Sequence, residues 1–303
     1  MSALLTPRVD AAPAAEVADA IPAPRIPGDS APRGAWWGHA IAVAAATAGL
    51  LSLAFVGFLA VLSPVQYDRA QRTQFATFRG ELARAVAPVQ APIPTGTPVA
   101  LLRVPRLGID NAVVLEGATS RVTMRGPAHR SDTALPGQAG VAVIEGRART
   151  FGGVFARLGS LRPGDTITAV TGGGEATYTV DTVRRSSDPA QALPPTRSRL
   201  TLVTADGGWT PASLVVVSAA LTAGDVQTAS SAVGSDQQPL GGDAAAALPL
   251  LLWAQLLLVL RLTVVWARRR VAAPVLWIGA AAAFVAITWN IFENLAALLP
   301  ATL

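Results

Sequence analysis

Apolar positions along this chain fall into three regimes, each with its own period. From Ala40 to Leu62 the sequence is uncharged and almost wholly apolar, with Trp36 and Trp37 at its start. As a helix, that length crosses roughly 30 Å of hydrocarbon. A second run, Ala244 to Ala267, is broken only by Gln255 and Arg261, and a third, Val271 to about Trp289, follows after Arg268, Arg269 and Arg270. Trp253, Trp266, Trp277 and Trp289 fall near the ends of these runs, where an aromatic belt would place them. Arg261 lies two helical turns before the Arg triplet and can snorkel to the same interface. The pattern predicts transmembrane helices over 36–63, 244–267 and 271–292.

The second regime is a helical stripe. Tyr67, Gln71, Phe75, Phe78, Leu82 and Val86 recur at intervals of three and four, predicting a juxtamembrane helix over about 65–86. It is either a dimer seam or a stalk packed on its own domain, the second being favoured. Pro88, Pro92, Pro94 and Pro98 then stop any helix and make a stiff connector, so 64–98 is read as helix plus connector.

The third regime is short and alternating. Runs at 99–104, 112–115, 141–145, 166–170, 176–183, 200–204 and 214–220 are separated by turn formers such as Pro136-Gly137, Pro163-Gly164-Asp165 and Gly172-Gly173-Gly174. This spacing predicts an all-β domain, a small barrel or sandwich, over 99–221. Residues 222–243 read as a flexible linker, 268–270 as a cytoplasmic Arg turn and 293–303 as an outer tail. Residues 1–35 are Ala/Pro-rich and aperiodic, which predicts a disordered cytoplasmic tail.

Composition narrows the function classes. The 303 residues carry a net charge of +5, are 51% hydrophobic and only 14% charged, and their basic residues are all Arg. No basic patch on a recognisable module points to nucleic acid. With no cysteine, disulfides, thiolate metal sites and Cys nucleophiles are excluded, and two histidines make a metal site improbable. No cofactor is expected. Arg25 and Arg33 before the first span and the triplet between the other two can all be cytoplasmic only if 64–243 lies outside. The expected localisation is therefore a multi-pass cell-membrane protein with a cytoplasmic N-terminus and an extracellular β domain, Glu293 lying near the outer face.

Within that domain three stretches carry a resemblance: "LLRVPRLGIDNAVVLEGA" (101–118), "RGPAHRSDTALPGQAGVAVIEGRARTFGGVFARLGSLRPGD" (125–165) and "RLTLVTADG" (199–207). In order and spacing they resemble a sortase of the actinobacterial kind, class E-like. The resemblance implies an eight-stranded sortase β-barrel anchored outside the cell membrane. It also implies where catalysis would sit, and what stands there instead. Active sortases place a nucleophilic Cys after Thr-Leu-Val-Thr, where this chain has Ala205. Their His follows the preceding strand, where it has Arg147, and their Arg starts the final strand, where Ser213 precedes Leu214.

The chemistry lost is specific. A methyl group has no lone pair with which to attack a carbonyl, so Ala205 forms no acyl intermediate. A protonated guanidinium is no general base, and a serine hydroxyl does not replace a guanidinium at a developing oxyanion. Other residues remain candidates for chemistry or for a binding groove. Thr204, Asp206 and Thr210 carry oxygens, His129 is the only histidine of the outer domain, and Glu145 with Asp206 could form a carboxylate pair. His129 sits in a Gly-Pro-Ala-His loop that active sortases share, which favours a structural role. Arg147 and Arg149 favour ion pairs over hydrolysis, and an Arg147–Asp206 salt bridge is one such expectation. Trp209 either caps the barrel end or lines a groove for an apolar segment. "LPPT" at 193–196 resembles a sorting signal but leads into a strand, and is read as structure.

The sequence thus predicts a pseudo-sortase, a non-catalytic binding or scaffolding component at the cell envelope. Its expected partners are an envelope or cell-wall-associated surface protein, the lipid bilayer, and a membrane protein met through Gln255, Arg261, Asn290 and Glu293 in or near the spans. The alternatives are a sortase-like transferase or hydrolase using Asp206, Glu145 or His129, and a membrane subunit in which the barrel is only a spacer.

Overall fold

The computed structural model describes residues 35–189, 192–206, 208, 213–229, 241–270 and 273–303. The chain divides into two compact units, 1–50 and 51–303. The expected disordered tail, Ala35 apart, and the middle of the expected linker (230–240) lie outside the described residues. The described part of the first unit belongs to helix α1 (Ala35–Gly57), whose Ile41, Val43 and Leu50 side chains are exposed.

In the second unit one π-helical turn, Phe58–Leu62, leads into α2 (Ser63–Ala83), with Pro64 in its first turn where a missing N–H is harmless. Further on come α4 (Ala247–Ala267) and α5 (Ala273–Ala297). Three stretches, Ile41–Ala83, Ala244–Ala267 and Ile278–Ala297, are long and apolar enough to cross a membrane. Helix α5 runs past the predicted limit of 292 to Ala297, because Asn294 folds back and donates to the Asn290 carbonyl (2.7 Å) inside the helix.

Between these helices lies a closed eight-stranded barrel. Its strands are β1 (Pro98–Val104), β2 (Ile109–Glu116), β3 (Ala128–His129), β4 (Gly140–Glu145), β5 (Thr166–Thr171), β6 (Gly174–Arg185), β7 (Ser198–Asp206) and β8 (Ser213–Ala223). Around the barrel they run β1-β2-β3-β4-β7-β8-β6-β5. Every apolar run singled out in the sequence lies inside one of these strands. The interior is filled by Val99, Leu102, Ile144, Ile167, Leu200, Leu202 and Val217, with Phe155 and Leu158 closing one side from a loop. Strands β4 and β7 pair in parallel; β7 is buried along most of its length, whereas β4 leaves Val141 exposed at its start.

Helix α2 packs on its own barrel, which resolves the choice between stalk and dimer seam. Phe78 is fully buried against Leu101, Val113, Leu115 and Ala128. Gln71 extends the edge of β2 with its amide: Oε1 accepts from Val113 N–H (2.8 Å), and Nε2 donates to the carbonyls of Val113 (3.1 Å) and Arg125 (2.9 Å). Gly126 makes room for it, since a Cβ there would collide with the Gln71 amide and the Val113 carbonyl. The predicted stripe ends early: the helix stops at Ala83 and Val86 is exposed. A third apolar cluster joins the helices to the barrel, with Phe58, Leu59, Phe292 and Ala296 packed around Phe151.

Candidate functional site

Strand register brings the three altered positions to one end of the barrel. Glu145, at the end of β4, pairs with Val203 of β7; beyond it Gly146 N–H donates to the Val203 carbonyl (3.0 Å), and Thr204 Oγ1 donates to the Gly146 carbonyl (2.8 Å). Arg147 is the next residue, and Ala205 follows Thr204 on the neighbouring strand. Across the antiparallel β7–β8 pair, Ala205 faces Leu214 and Asp206 faces Ser213. Gly146 must be a glycine, because a Cβ would meet the Phe155 ring that plugs the barrel. Ala205 itself is 6% exposed, a methyl group sealed in the wall.

Arg147 does not reach toward the carboxylate expected for it. Its guanidinium is 1% exposed and sits in a cage of neutral acceptors. Nε donates to Thr123 Oγ1 (3.2 Å), Nη1 to Thr150 Oγ1 (2.9 Å), and Nη2 to both the carbonyl (3.1 Å) and the hydroxyl (2.7 Å) of Ser120. The Phe151 ring lies 5.0 Å away, at cation–π distance. Burial pulls the Arg147 pKa down to about 9, still above neutrality, so the group remains a cation at pH 7. Ser120 belongs to the one-turn helix α3 (Ser120–Thr123), whose N-cap Thr119 accepts from Val122 N–H.

Asp206 pairs elsewhere. Its carboxylate accepts from Arg185 Nε (2.5 Å) and from the Ser213 hydroxyl (3.2 Å), on the outside of the barrel. The expected Arg147–Asp206 bridge is therefore corrected to Arg185–Asp206, with Arg147 held instead by the hydroxyls of Ser120, Thr123 and Thr150. The sequence concealed this because the cage comes from Ser120 and Thr123, far upstream of Arg147, and from Thr150 beyond it.

The other candidates are placed as follows. His129 lies in β3, buried, with Nδ1 2.8 Å from Glu116 Oε2 and Nε2 2.8 Å from the Ala134 carbonyl. Both ring nitrogens are thus engaged in tying β2, β3 and the following loop together. Glu145 is buried and Arg149 is exposed. Trp209 and Thr210 lie outside the described residues. Two cavities, of about 690 and 780 Å³, flank α2, and neither is lined by Ala205, Asp206 or Ser213. Among the described residues no cluster of His, Asp and Glu could hold a metal ion.

Comparison with known proteins agrees with this geometry. The sortase domain model matches residues 102–222. Sortase E from Streptomyces avermitilis is 30% identical over 43% of this chain and 91% of its own (TM-score 0.38). The chain belongs to the sortase family. Two more distant sortases also match. Sortase E1 from Streptomyces coelicolor, solved with a tripeptide in its active site, is 23% identical over 49% of this chain and 98% of its own (TM-score 0.39). The Clostridium perfringens sortase D5 transpeptidase is 21% identical over 51% of this chain and 99% of its own (TM-score 0.43). No curated protein matches the sequence. The thiol that the resemblance implies for catalysis has no counterpart, since the chain has no cysteine anywhere in its sequence.

Proposed function

We propose that this sortase is a membrane-anchored, non-catalytic binding or scaffolding component of the cell envelope. The observation that carries the reading is the pairing of Ala205 with Arg147. Where a nucleophile and a base would stand, there are a buried methyl group and a guanidinium whose donors are spent on hydroxyls and a carbonyl. Covalent acyl transfer needs a lone pair and a proton acceptor at that spot. The hydrolytic alternative loses support from the same geometry, because His129 is buried against Glu116 and Asp206 is held by Arg185. The apolar helices support anchoring, and the distribution of arginines supports a barrel on the outer face. An envelope-associated surface protein is the client class that best fits a sortase barrel retained without its chemistry.

The test is turnover by the full chain in detergent. Incubated with peptides carrying a sorting signal, the protein is expected to leave them intact over hours at the background rate. Cleavage or transfer above background that disappears in Asp206→Asn or His129→Gln would overturn the reading.

A further inference from the structure

The larger of the two cavities beside α2, about 780 Å³, lies where the apolar helices meet the barrel. One wall is the start of α2, just past the uncharged run that ends at Leu62, and includes Gln66, Arg69 and Gln74. A second wall is Trp289 and Glu293, near the end of α5. The barrel contributes Thr119, Arg121 and Arg125 from the segment after β2. Helix ends of this kind mark the level at which hydrocarbon gives way to water, the depth where Trp residues collect. Glu293 ties the two helical walls together, its Oε1 accepting from Gln66 Nε2 (2.7 Å) and Trp289 Nε1 (2.7 Å). The Trp289 ring is itself fixed edge-on against Phe58, with 5.3 Å between centroids.

Charge around this cavity is unbalanced. Three guanidiniums, Arg69, Arg121 and Arg125, meet one carboxylate, Glu293. Arg121 is engaged, with Nε donating to Asp243 (2.9 Å) and Nη2 to Asn294 (2.8 Å). Arg69 and Arg125 are exposed and make no ion pair among the described residues. Gln71 Nε2, donating to the Arg125 carbonyl, sets Arg125 beside the same part of α2 that carries Arg69. The planar fork of a guanidinium matches phosphate oxygens two at a time. At the edge of a bilayer the phosphate at hand is that of a lipid headgroup, and basic pockets between spanning helices hold such groups. The apolar part of the lining, Trp289 with Phe151, Val122 and Met124, suits the glycerol backbone and first acyl carbons beneath the phosphate.

We infer that this cavity holds the headgroup of one anionic phospholipid, its phosphate seated between Arg69 and Arg125 and its acyl chains in the hydrocarbon. The inference rests on the membrane anchoring proposed above and is independent of whether the barrel is catalytic. A lipid bound there touches α2, α5 and the segment after β2 at once, so it fixes how the barrel is held on the bilayer.

The test is native mass spectrometry of the full chain in detergent, with phosphatidylglycerol or phosphatidylcholine of matched acyl chains added. The wild type is expected to retain one phosphatidylglycerol about tenfold more than phosphatidylcholine, and Arg69→Gln with Arg125→Gln is expected to bring the two lipids to parity. Arg79→Gln with Arg84→Gln removes the same charge without touching the cavity and is expected to keep the preference. No preference in the wild type would overturn the proposal, as would an equal loss in both double variants, which is the mark of diffuse charge attraction. Inorganic phosphate at the lipid's concentration is expected not to displace it; displacement would make this a site for a free anion and defeat the lipid assignment. Phosphatidylglycerol is also expected to raise the melting midpoint of the wild type above its value in phosphatidylcholine, a comparison that needs no variant, and equal midpoints would count against the site. Release of the wild type from vesicles by alkaline carbonate would sink the anchoring and this site together, whereas retention without lipid preference sinks this inference alone.

Discussion

Two buried basic groups sit on adjacent parts of the same barrel wall, and they are held in opposite ways. His129 of β3 faces the carboxylate of Glu116 at 2.8 Å, with its other nitrogen on the Ala134 carbonyl. Arg147, just past β4, has four hydrogen bonds and an aromatic face, none of them from a carboxylate. The His129 region is self-contained: its partners come from β2, β3 and the loop that joins β3 to β4. The Arg147 region is assembled from afar, by α3, by the loop carrying Phe151, and, one bond further out, by residues 299–303. The difference separates framework from site. A group paired inside the strand ladder stabilises the barrel whatever the protein does, whereas a caged cation depends on everything that converges on it.

Breaking the framework side is expected to have the largest effect. Glu116→Ala leaves the His129 Nδ1 buried opposite a void, and losing the partner of a buried polar group costs about 1–3 kcal/mol, to which the cavity adds. The thermal melting midpoint of the detergent-solubilised chain is expected to fall by many degrees, with Glu116→Gln recovering most of the loss. A small shift for Glu116→Ala would mean that the pair is dispensable and that the contrast with Arg147 is illusory.

The caged side is expected to respond less, and in the other direction with pH. Arg147→Met keeps much of the volume and removes the buried charge, a change that is often neutral or stabilising by about 1–4 kcal/mol. Burial lowers the folded-state pKa of Arg147 from the ordinary guanidinium value to about 9, so between the two the unfolded chain binds more protons than the folded one. Stability contributed by this group therefore rises with pH across that window and is lowest below about 9. Melting midpoints of the wild type and Arg147→Met, compared from pH 8 to 11, are expected to converge in favour of the wild type as pH rises. Divergence in favour of the Met variant would show that the guanidinium is not desolvated.

How much of this was legible in the sequence follows the range of the interactions. Seven strands announced themselves, because alternation and turn residues are local signals. The eighth, β3, is two residues long and has no period to detect, so only the family resemblance supplied it. Helix α2 was visible through its stripe, and its docking through Phe78, but the use of Gln71 as an edge donor to β2 was not. At the site, Ala205, Arg147 and Ser213 were singled out through their flanking motifs, and the strand register sets Ala205 opposite Leu214, beside Ser213. Where Arg147 points was not legible, because the resemblance set it opposite Asp206, while the hydroxyls that cage it come from Ser120, Thr123 and Thr150. The burial of residues 301–303 was equally hidden. A short apolar segment after a spanning helix reads as a tail until the amides of 148–150 are seen to receive it.

The smallest expected effect belongs to Asp206, one half of the carboxylate pair that the sequence offered for hydrolysis. Asp206 lies at the end of β7 with Arg185 as a partner, and the Arg185 side chain is mostly exposed. An exposed pair of this kind is screened by salt and loses side-chain entropy in forming, so it adds little. The Ser213 hydroxyl, at 3.2 Å, can accept the amide of an asparagine or turn to water. Asp206→Asn is therefore expected to leave the melting midpoint within error of the wild type at physiological ionic strength, with any difference visible only at low salt. A fall in stability on the scale of Glu116→Ala would place Asp206 in the same energetic unit as Arg147. That outcome would erase the boundary between framework and site from which the whole comparison starts.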